Sequence, residues 1–119
     1  MSENSLQPKY TINCREYLCP FQLTISVFNG KWKLKIVKAL CDKGKLRYSE
    51  LKKSLYEEIT HKMLIQSLRQ LEGDGIVNRI VYPQVPPKVE YELTEDGHRL
   101  SLVIEAMNAF GKKYIKPVG

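Results

Sequence analysis

The chain has 119 residues, 43% of them hydrophobic and 27% charged, which is the composition of one ordinary folded domain. A second, catalytic domain does not fit, because single cores typically take ~100–200 residues. The longest uncharged stretch, residues 17–30, is shorter than the ~20 apolar residues of a membrane span. We therefore expect no membrane-spanning helix, and no membrane partner that would require one. The polar residues 1–9 lack a secretion signal, which favours a cytoplasmic location.

The positive charge of the chain is concentrated in one segment. The formal net charge is +6, and residues 31–53 contain nine basic residues but only two acidic ones, Asp42 and Glu50. A concentrated positive region attracts polyanions, so nucleic acid or an anionic membrane surface is the leading class of partner. A solvated, lysine-rich helix face is the alternative interpretation of the same pattern.

Residues 1–16 are polar and without sustained periodicity, so they predict an N-terminal arm, and residues 17–119 predict the folded domain. Pro20 suits the first turn of a first helix, which ends at Asn29-Gly30. Residues 32–42 have helical periodicity and predict a second helix. Residues 46–48 predict a short strand, and Ser49 is the expected N-cap of a third helix.

The later segments predict a fourth helix, a hairpin and a last helix. Thr60 is the expected N-cap of the fourth helix, which runs to residue 72. Residues 76–82 and 88–93 alternate as two antiparallel strands around a proline-rich loop. Thr94 begins a long last helix over residues 95–115. This order predicts an α+β, mostly α fold, a winged helix-turn-helix domain with a two- to three-stranded antiparallel wing sheet and a long C-terminal dimerisation helix.

The fourth helix has an apolar face and a polar face. Leu64 and Leu68 belong to the stripe that faces the core, and Lys62, Gln66 and Arg69 lie almost opposite. Lys and Arg pair with guanine or phosphate, and Gln pairs with adenine, so this face suits double-stranded DNA. Any surface helix can carry such residues, and an ordinary solvated face is the alternative.

Six motifs in order make the chain resemble the HxlR-type family of bacterial winged helix-turn-helix transcriptional regulators, from Cys19 to about Phe110. The residues that carry the resemblance are Cys19-Pro20, Gly30-Lys31-Trp32-Lys33, residues 47–51, residues 59–64, residues 68–77, and residues 85–94 followed by Gly97. The resemblance implies a homodimer that binds DNA, with the fourth helix in the major groove and the Pro86-Pro87 loop as the wing. We expect DNA contacts from Arg47, Ser49, Thr60, His61, Lys62, Gln66, Arg69 and Lys88.

The last helix is apolar on two sides, as expected for a helix that packs on its own domain and on a second subunit. A fully buried helix in a monomer is the alternative. The predicted dimerisation residues are Phe21, Leu102, Ala106, Met107, Phe110 and Tyr114. A two-fold dimer places its recognition helices ~34 Å apart, which predicts a pseudo-palindromic operator.

The three cysteines are an odd number, which argues against a paired disulfide framework. Cys19 precedes Pro20 at the start of the first helix, where the helix dipole favours the reactive thiolate. Control by oxidation or alkylation of Cys19 is therefore a hypothesis, and several members of the similar family sense oxidants or electrophiles at this position. A partly buried, structural thiol is the alternative. Cys14 and Cys19 lack a second matched pair, so we expect no metal and no cofactor.

Two other classes of protein compete with a DNA-binding regulator. The sequence has no motif of a hydrolase, metalloprotease, P-loop or dinucleotide-binding enzyme, so we expect no catalysis. A winged-helix adaptor that binds proteins without recognising an operator is the main alternative, because a fold alone does not specify function. The sequence does not identify an operator, a target gene or an effector.

Overall fold

The computed structural model describes residues 9–56 and 58–116, and within them it has six helices, a two-stranded hairpin and a three-stranded sheet. The elements in chain order are β1 (Tyr10–Ile12), β2 (Arg15–Tyr17), α1 (Pro20–Val27), α2 (Lys33–Lys43), β3 (Leu46–Arg47), α3 (Tyr48–Ser54), α4 (His61–Gly73), β4 (Val77–Tyr82), β5 (Lys88–Leu93), α5 (Glu95–Arg99) and α6 (Ser101–Lys112). None of the helices among these residues has the length and apolar character needed to cross a membrane. This is the winged helix-turn-helix order that the sequence predicts.

The N-terminal segment differs from the predicted arm. Strands β1 and β2 pair antiparallel, and Asn13 and Cys14 between them both have positive φ, as in a two-residue type I′ turn. The guanidinium of Arg15 donates to the carboxylate of Asp74 at 2.7 Å and so joins this hairpin to the end of α4. The prediction of an arm without regular structure is wrong for residues 10–16, and residues 1–8 lie outside the described part of the chain.

The helix-turn-helix consists of α3 and α4. Helix α3 begins at Tyr48 rather than after Ser49, so the prediction that Ser49 is its N-cap is wrong. The carboxylate of Glu50 instead accepts a hydrogen bond from the backbone N–H of Arg47 at 2.8 Å, and this bond fixes the first turn. Thr60 caps α4 as predicted.

The apolar core lies between the helices and one face of the sheet. Its members are Val27, Trp32, Ile36, Val37, Leu40, Leu46, Leu51, Leu55, Ile59, Leu64, Leu68, Leu71, Ile76, Val77, Tyr91, Leu93 and Ile104. Because α2, α3 and α4 all contribute to this single cluster, the outward face of α4 is held by packing on the opposite side of the helix.

The three-stranded sheet has the order β3-β5-β4, and both pairings are antiparallel. In the register of the wing hairpin, Val77 lies opposite Leu93 and Tyr82 lies opposite Lys88. The connecting loop is exposed and contains a cis Val85–Pro86 peptide bond. The short strand β3 brings the start of α3 to the edge of the wing, beside β5.

The last helix is divided at Leu100 and is shorter than predicted. Thr94 caps α5, since its hydroxyl accepts from the backbone N–H of Gly97 at 3.0 Å, and α6 then runs only to Lys112. The hydroxyl of Thr94 also donates to the carbonyl of Gly75 at 2.6 Å, which connects the end of the wing to the turn after α4.

Candidate nucleic-acid interface

Helix α4 is anchored by its apolar face and by its cap. Leu64, Leu68 and Leu71 are at most 2% exposed. At the N-terminus, the Thr60 hydroxyl accepts a hydrogen bond from the backbone N–H of Met63 at 3.2 Å. The remaining free N–H groups and the positive end of the helix dipole create a place where a phosphate is favoured. The helix is therefore a fixed support for the side chains on its outer face.

The outer face of α4 is open to solvent. The side chains predicted there, His61, Lys62, Gln66 and Arg69, are all exposed, so none of them is enclosed by the protein's own interior. They border a surface groove of about 660 Å³ that the turn residue Asn13 of the N-terminal hairpin also lines. Within the described residues, this arrangement leaves one neutral amide and two cations available to a ligand that lies along the helix.

Tyr48 positions the first residue of this face. The hydroxyl of Tyr48 lies 2.5 Å from Nδ1 of His61, and the two rings meet edge to face with centroids 5.2 Å apart. This contact joins the first residue of α3 to the first residue of α4 and fixes the imidazole at the helix start. The residue-type pattern gave no signal for this role of Tyr48, because the pair forms only when the two helices come together.

The start of α3 contributes two more of the predicted residues. Arg47 and Ser49 are both exposed, and Arg47 also belongs to strand β3 at the edge of the wing. The first turns of α3 and α4 are brought together by the Tyr48–His61 contact. The structure thus gathers Arg47, Ser49, His61 and Thr60 near the N-termini of the two helices.

Arg69 lies where α4 meets the wing. It lines a cleft with Glu72 of the same helix, with Arg79 of β4 and with Tyr91 of β5. Nε of Arg79 is 3.8 Å from the Glu72 carboxylate, so Glu72 of α4 forms an ion pair with strand β4 of the wing. Burial raises the pKa of the Tyr91 hydroxyl above its ordinary value.

Lys88 is less available than the other predicted residues. Its ammonium lies 4.8 Å from the ring centroid of Tyr82 and 3.9 Å from the Glu90 carboxylate, and only 27% of its side chain is exposed. The hydrogen bond with Glu90 raises the pKa of the Tyr82 hydroxyl. Lys88 therefore belongs to a partly neutralised cluster at the loop end of the wing hairpin, and its DNA contact stays a prediction.

The basic segment of residues 31–53 does not form one free positive surface. Lys31 and Lys35 both lie 4.9 Å from the ring centroid of Trp32. The ammonium of Lys38 is 2.6 Å from the Asp42 carboxylate. Lys33 is buried, which the sequence did not predict. Part of the surplus charge is thus engaged within the domain, and the charge that faces outward on α4 comes from a different segment.

Large apolar side chains project from α1 and from α6 and the residues after it. The predicted dimerisation residues Phe21, Leu102, Met107, Phe110 and Tyr114 are between 52% and 71% exposed, and Ala106 is exposed as well. On α6 only Ile104 is buried in the core. Large exposed apolar side chains on one element are typical of protein–protein interfaces, so α6 is a candidate interface, with Phe21 of α1 as a further exposed apolar side chain.

Cys19 is at the predicted position, the N-cap of α1, immediately before Pro20. Its thiol is partly buried and the side chain makes no capping hydrogen bond. Cys41 is also partly buried, whereas Cys14 is exposed in the hairpin turn. In the described ranges, no cluster of three or more His, Cys, Asp or Glu side chains is arranged to hold a metal ion.

The family profile and the similar proteins both indicate the same family. The sequence profile of the HxlR-like helix-turn-helix family matches residues 27–118. The chain is 49% identical over 104 residues to YtcD of Bacillus subtilis, described as an uncharacterized HTH-type transcriptional regulator, covering 87% of this chain and 81% of that protein.

Solved structures agree with the sequence comparison. The redox regulator HypR in its oxidized form has a TM-score of 0.74 at 44% identity and covers 84% of this chain and 100% of that chain. The reduced form of the transcriptional regulator YodB of B. subtilis has a TM-score of 0.70 at 34% identity, and the match covers 85% of this chain and 98% of that chain. The matched winged helix-turn-helix, with its capped and outward-facing α4, therefore belongs to the HxlR-like helix-turn-helix family.

Proposed function

We propose that this protein is a transcriptional regulator that binds double-stranded DNA sequence-specifically, as a cytoplasmic homodimer. The observation that carries the proposal is the exposure of Lys62, Gln66 and Arg69 on a helix whose other face is fully buried. A rigid helix of this kind fits the major groove, which is the groove that distinguishes all four base pairs. Its relatives in the HxlR-like family support the same role.

The residues of the interface divide into two tasks. Gln66 and Arg69 lie about one and two turns, respectively, beyond the start of α4, and their side chains suit adenine and guanine edges. Thr60, His61 and Lys62 at the helix N-terminus, with Arg47 and Ser49 of the neighbouring element, suit phosphate oxygens. Phosphate contacts set the register of the protein on the duplex, and base contacts determine which sequence is bound.

The homodimer follows from the apolar surface of α1 and α6. Phe21, Leu102, Ala106, Met107, Phe110 and Tyr114 would be covered by the same surface of a second copy, as in a two-fold interface. Two copies then present two α4 helices to successive turns of one face of DNA, ~34 Å apart. The operator is therefore pseudo-palindromic.

Cys19 is the residue through which the regulator would respond to oxidants or electrophiles. Its position at a helix N-terminus favours a thiolate, and α1 belongs to the surface assigned to the dimer. Two similar proteins support a redox response, since HypR is described as a redox regulator and YodB is known in a diamide-treated form. Modification of Cys19 would change the dimer surface and with it the spacing of the α4 helices.

The experiment is selection of bound duplexes from a random pool by the purified protein, with and without diamide. The proposal predicts an enriched sequence with two inverted half-sites, and enrichment that changes with diamide in the wild type but not in Cys19→Ser. A pool that stays random would contradict operator recognition. Equal effects of diamide on wild type and Cys19→Ser would contradict the role of Cys19 alone.

A further inference from the structure

A polar cavity lies between the N-terminal hairpin, the junction of α1 and α2, and the C-terminal end of α4. We call it the hairpin cavity; its volume is about 470 Å³, and its charged lining residues are Arg15, Lys33 and Asp74. This volume is in the range of pockets that bind small organic molecules. The cavity adjoins the groove on the outer face of α4, because Asn13 and Gln70 line both, but its charged residues Arg15, Lys33 and Asp74 do not belong to that groove.

Lys33 is the unusual residue of this cavity. Only 6% of it is exposed, yet no carboxylate in the described ranges lies within ion-pair distance of its ammonium. Lysine is almost never so deeply buried without a partner. Burial lowers the pKa of Lys33, Asp74 raises it in part, and the positive charge of Arg15 lowers it further. The ammonium is therefore held in a position where its charge is poorly compensated.

The cavity carries one more positive charge than negative charges. Asp74, whose side chain is 3% exposed, is already engaged by Arg15 at 2.7 Å. Nε of Arg15 is buried and has no hydrogen-bond partner in the described structure. Two cations and one committed carboxylate leave a net charge of about +1, which one bound anion would neutralise.

The rest of the lining favours an organic anion with polar groups over a bare inorganic ion. The amides of Asn13, Asn29 and Gln70 and the hydroxyl of Ser26 surround the charged residues. The amides can donate or accept hydrogen bonds, and the Ser26 hydroxyl, which donates to the Leu23 carbonyl at 2.6 Å, can still accept one, so these groups match hydroxyl or carbonyl groups of a ligand. We propose that the hairpin cavity binds a small, hydroxylated monocarboxylate, whose carboxylate is neutralised by Lys33 and Arg15.

The test is a titration of the full-length protein with sodium lactate and sodium gluconate at constant ionic strength. Binding is followed by NMR through the Arg15 Nε–H signal and the side-chain amide signals of Asn29 and Gln70. We expect saturable shifts of these signals with the carboxylates, and no such shifts with the neutral analogues lactamide and sorbitol. Shifts that stay linear in concentration, or that the neutral analogues reproduce, would overturn the proposal.

Lys33→Met is the decisive variant, and Lys43→Met is its matched control on the exposed last turn of the same helix. Loss of a charged hydrogen-bond partner predicts affinity about tenfold or more weaker in Lys33→Met, and no change in Lys43→Met. Equal affinities of the two variants would refute the role of Lys33. Should Lys33→Met not fold, Gln70→Ala at an exposed position of α4 replaces it, and unchanged affinity in that variant would refute the site.

Discussion

The close approach of α5 to the turn after α4 leads to a quantitative prediction for Gly97. This glycine is buried, and a Cβ at its position would lie 2.3 Å from the carbonyl oxygen of Ile76. An ordinary contact needs at least 3.4 Å, so the two groups must separate by about 1 Å. The carbonyl of Ile76 cannot move easily, because it accepts a hydrogen bond from the backbone N–H of Thr94 at 2.9 Å.

We expect Gly97→Ala to destabilise the fold by about 1.5–4.5 kcal/mol. Overpacking of a tight site costs ~1–3 kcal/mol, and weakening the hydrogen bond from Thr94 N–H to Ile76 costs ~0.5–1.5 kcal/mol. For a domain of this size that corresponds to a fall in Tm of about 6–18 °C.

The assay is thermal unfolding followed by circular dichroism at a fixed protein concentration, and Gly111→Ala is the matched control. Nothing lies within 4 Å of a Cβ at Gly111, so alanine there should be neutral or should stabilise by up to ~1 kcal/mol. Equal Tm values for the wild type and Gly97→Ala would show that the contact between α5 and the turn after α4 is not close.

Three further predictions concern the cap of α4, the apolar surface and Lys33. Thr60→Ala should lower the free energy of unfolding by ~1 kcal/mol in urea titrations, whereas Thr24→Ala, whose hydroxyl only bonds back to the Pro20 carbonyl within α1, should not. Equal losses in the two variants would argue against the cap. Leu102→Glu should convert the dimer to a folded monomer in analytical ultracentrifugation, and an unchanged dimer would exclude this surface. The pKa of Lys33 is lowered in the folded state, so the unfolded state binds the proton more tightly and wild-type stability rises with pH through the interval just below 10.5. Lys33→Met should lack this rise, and parallel pH profiles of the two proteins would contradict the burial of a charged ammonium.

The sequence predicted the parts of the fold that depend on residues close to one another in the chain. The Thr60 cap and the leucine stripe of α4 are encoded within fourteen residues, and the alternating strands of the wing lie next to each other in sequence. These features need no information from distant parts of the chain.

The missed features depend on distant contacts. The N-terminal hairpin has strands of only three residues and is joined to the domain by the pair Arg15–Asp74, whose members are 59 positions apart. Lys33 is buried because the hairpin, α2 and the end of α4 meet around it, which periodicity within α2 does not reveal. The last helix is divided at Leu100, where neither a proline nor a glycine in the sequence indicates a break.

The sequence predicted which side chains face outward on α4, but not the contacts that other elements make with the candidate site. Lys62, Gln66 and Arg69 are outward-facing because three leucines on the other side of α4 are buried, and this follows from helical geometry. The contact of Tyr48 with His61 and the partial neutralisation of Lys88 by Glu90 arise only after the elements are assembled. The residue types therefore identified the outward face of α4, but not which of the predicted side chains are already bonded within the protein.

Binding measured by fluorescence anisotropy across a salt series tests most directly whether the outer face of α4 recognises a duplex. On a selected operator, Gln66→Ala should reduce discrimination against a scrambled duplex by ~1–3 kcal/mol. Lys62→Ala should weaken both duplexes alike and reduce the salt slope by about one phosphate, ~0.9 in log–log units, while Lys43→Ala should change neither quantity. Unaltered discrimination and salt slope in Gln66→Ala and Lys62→Ala would contradict the account and favour a winged-helix protein that does not bind DNA through α4.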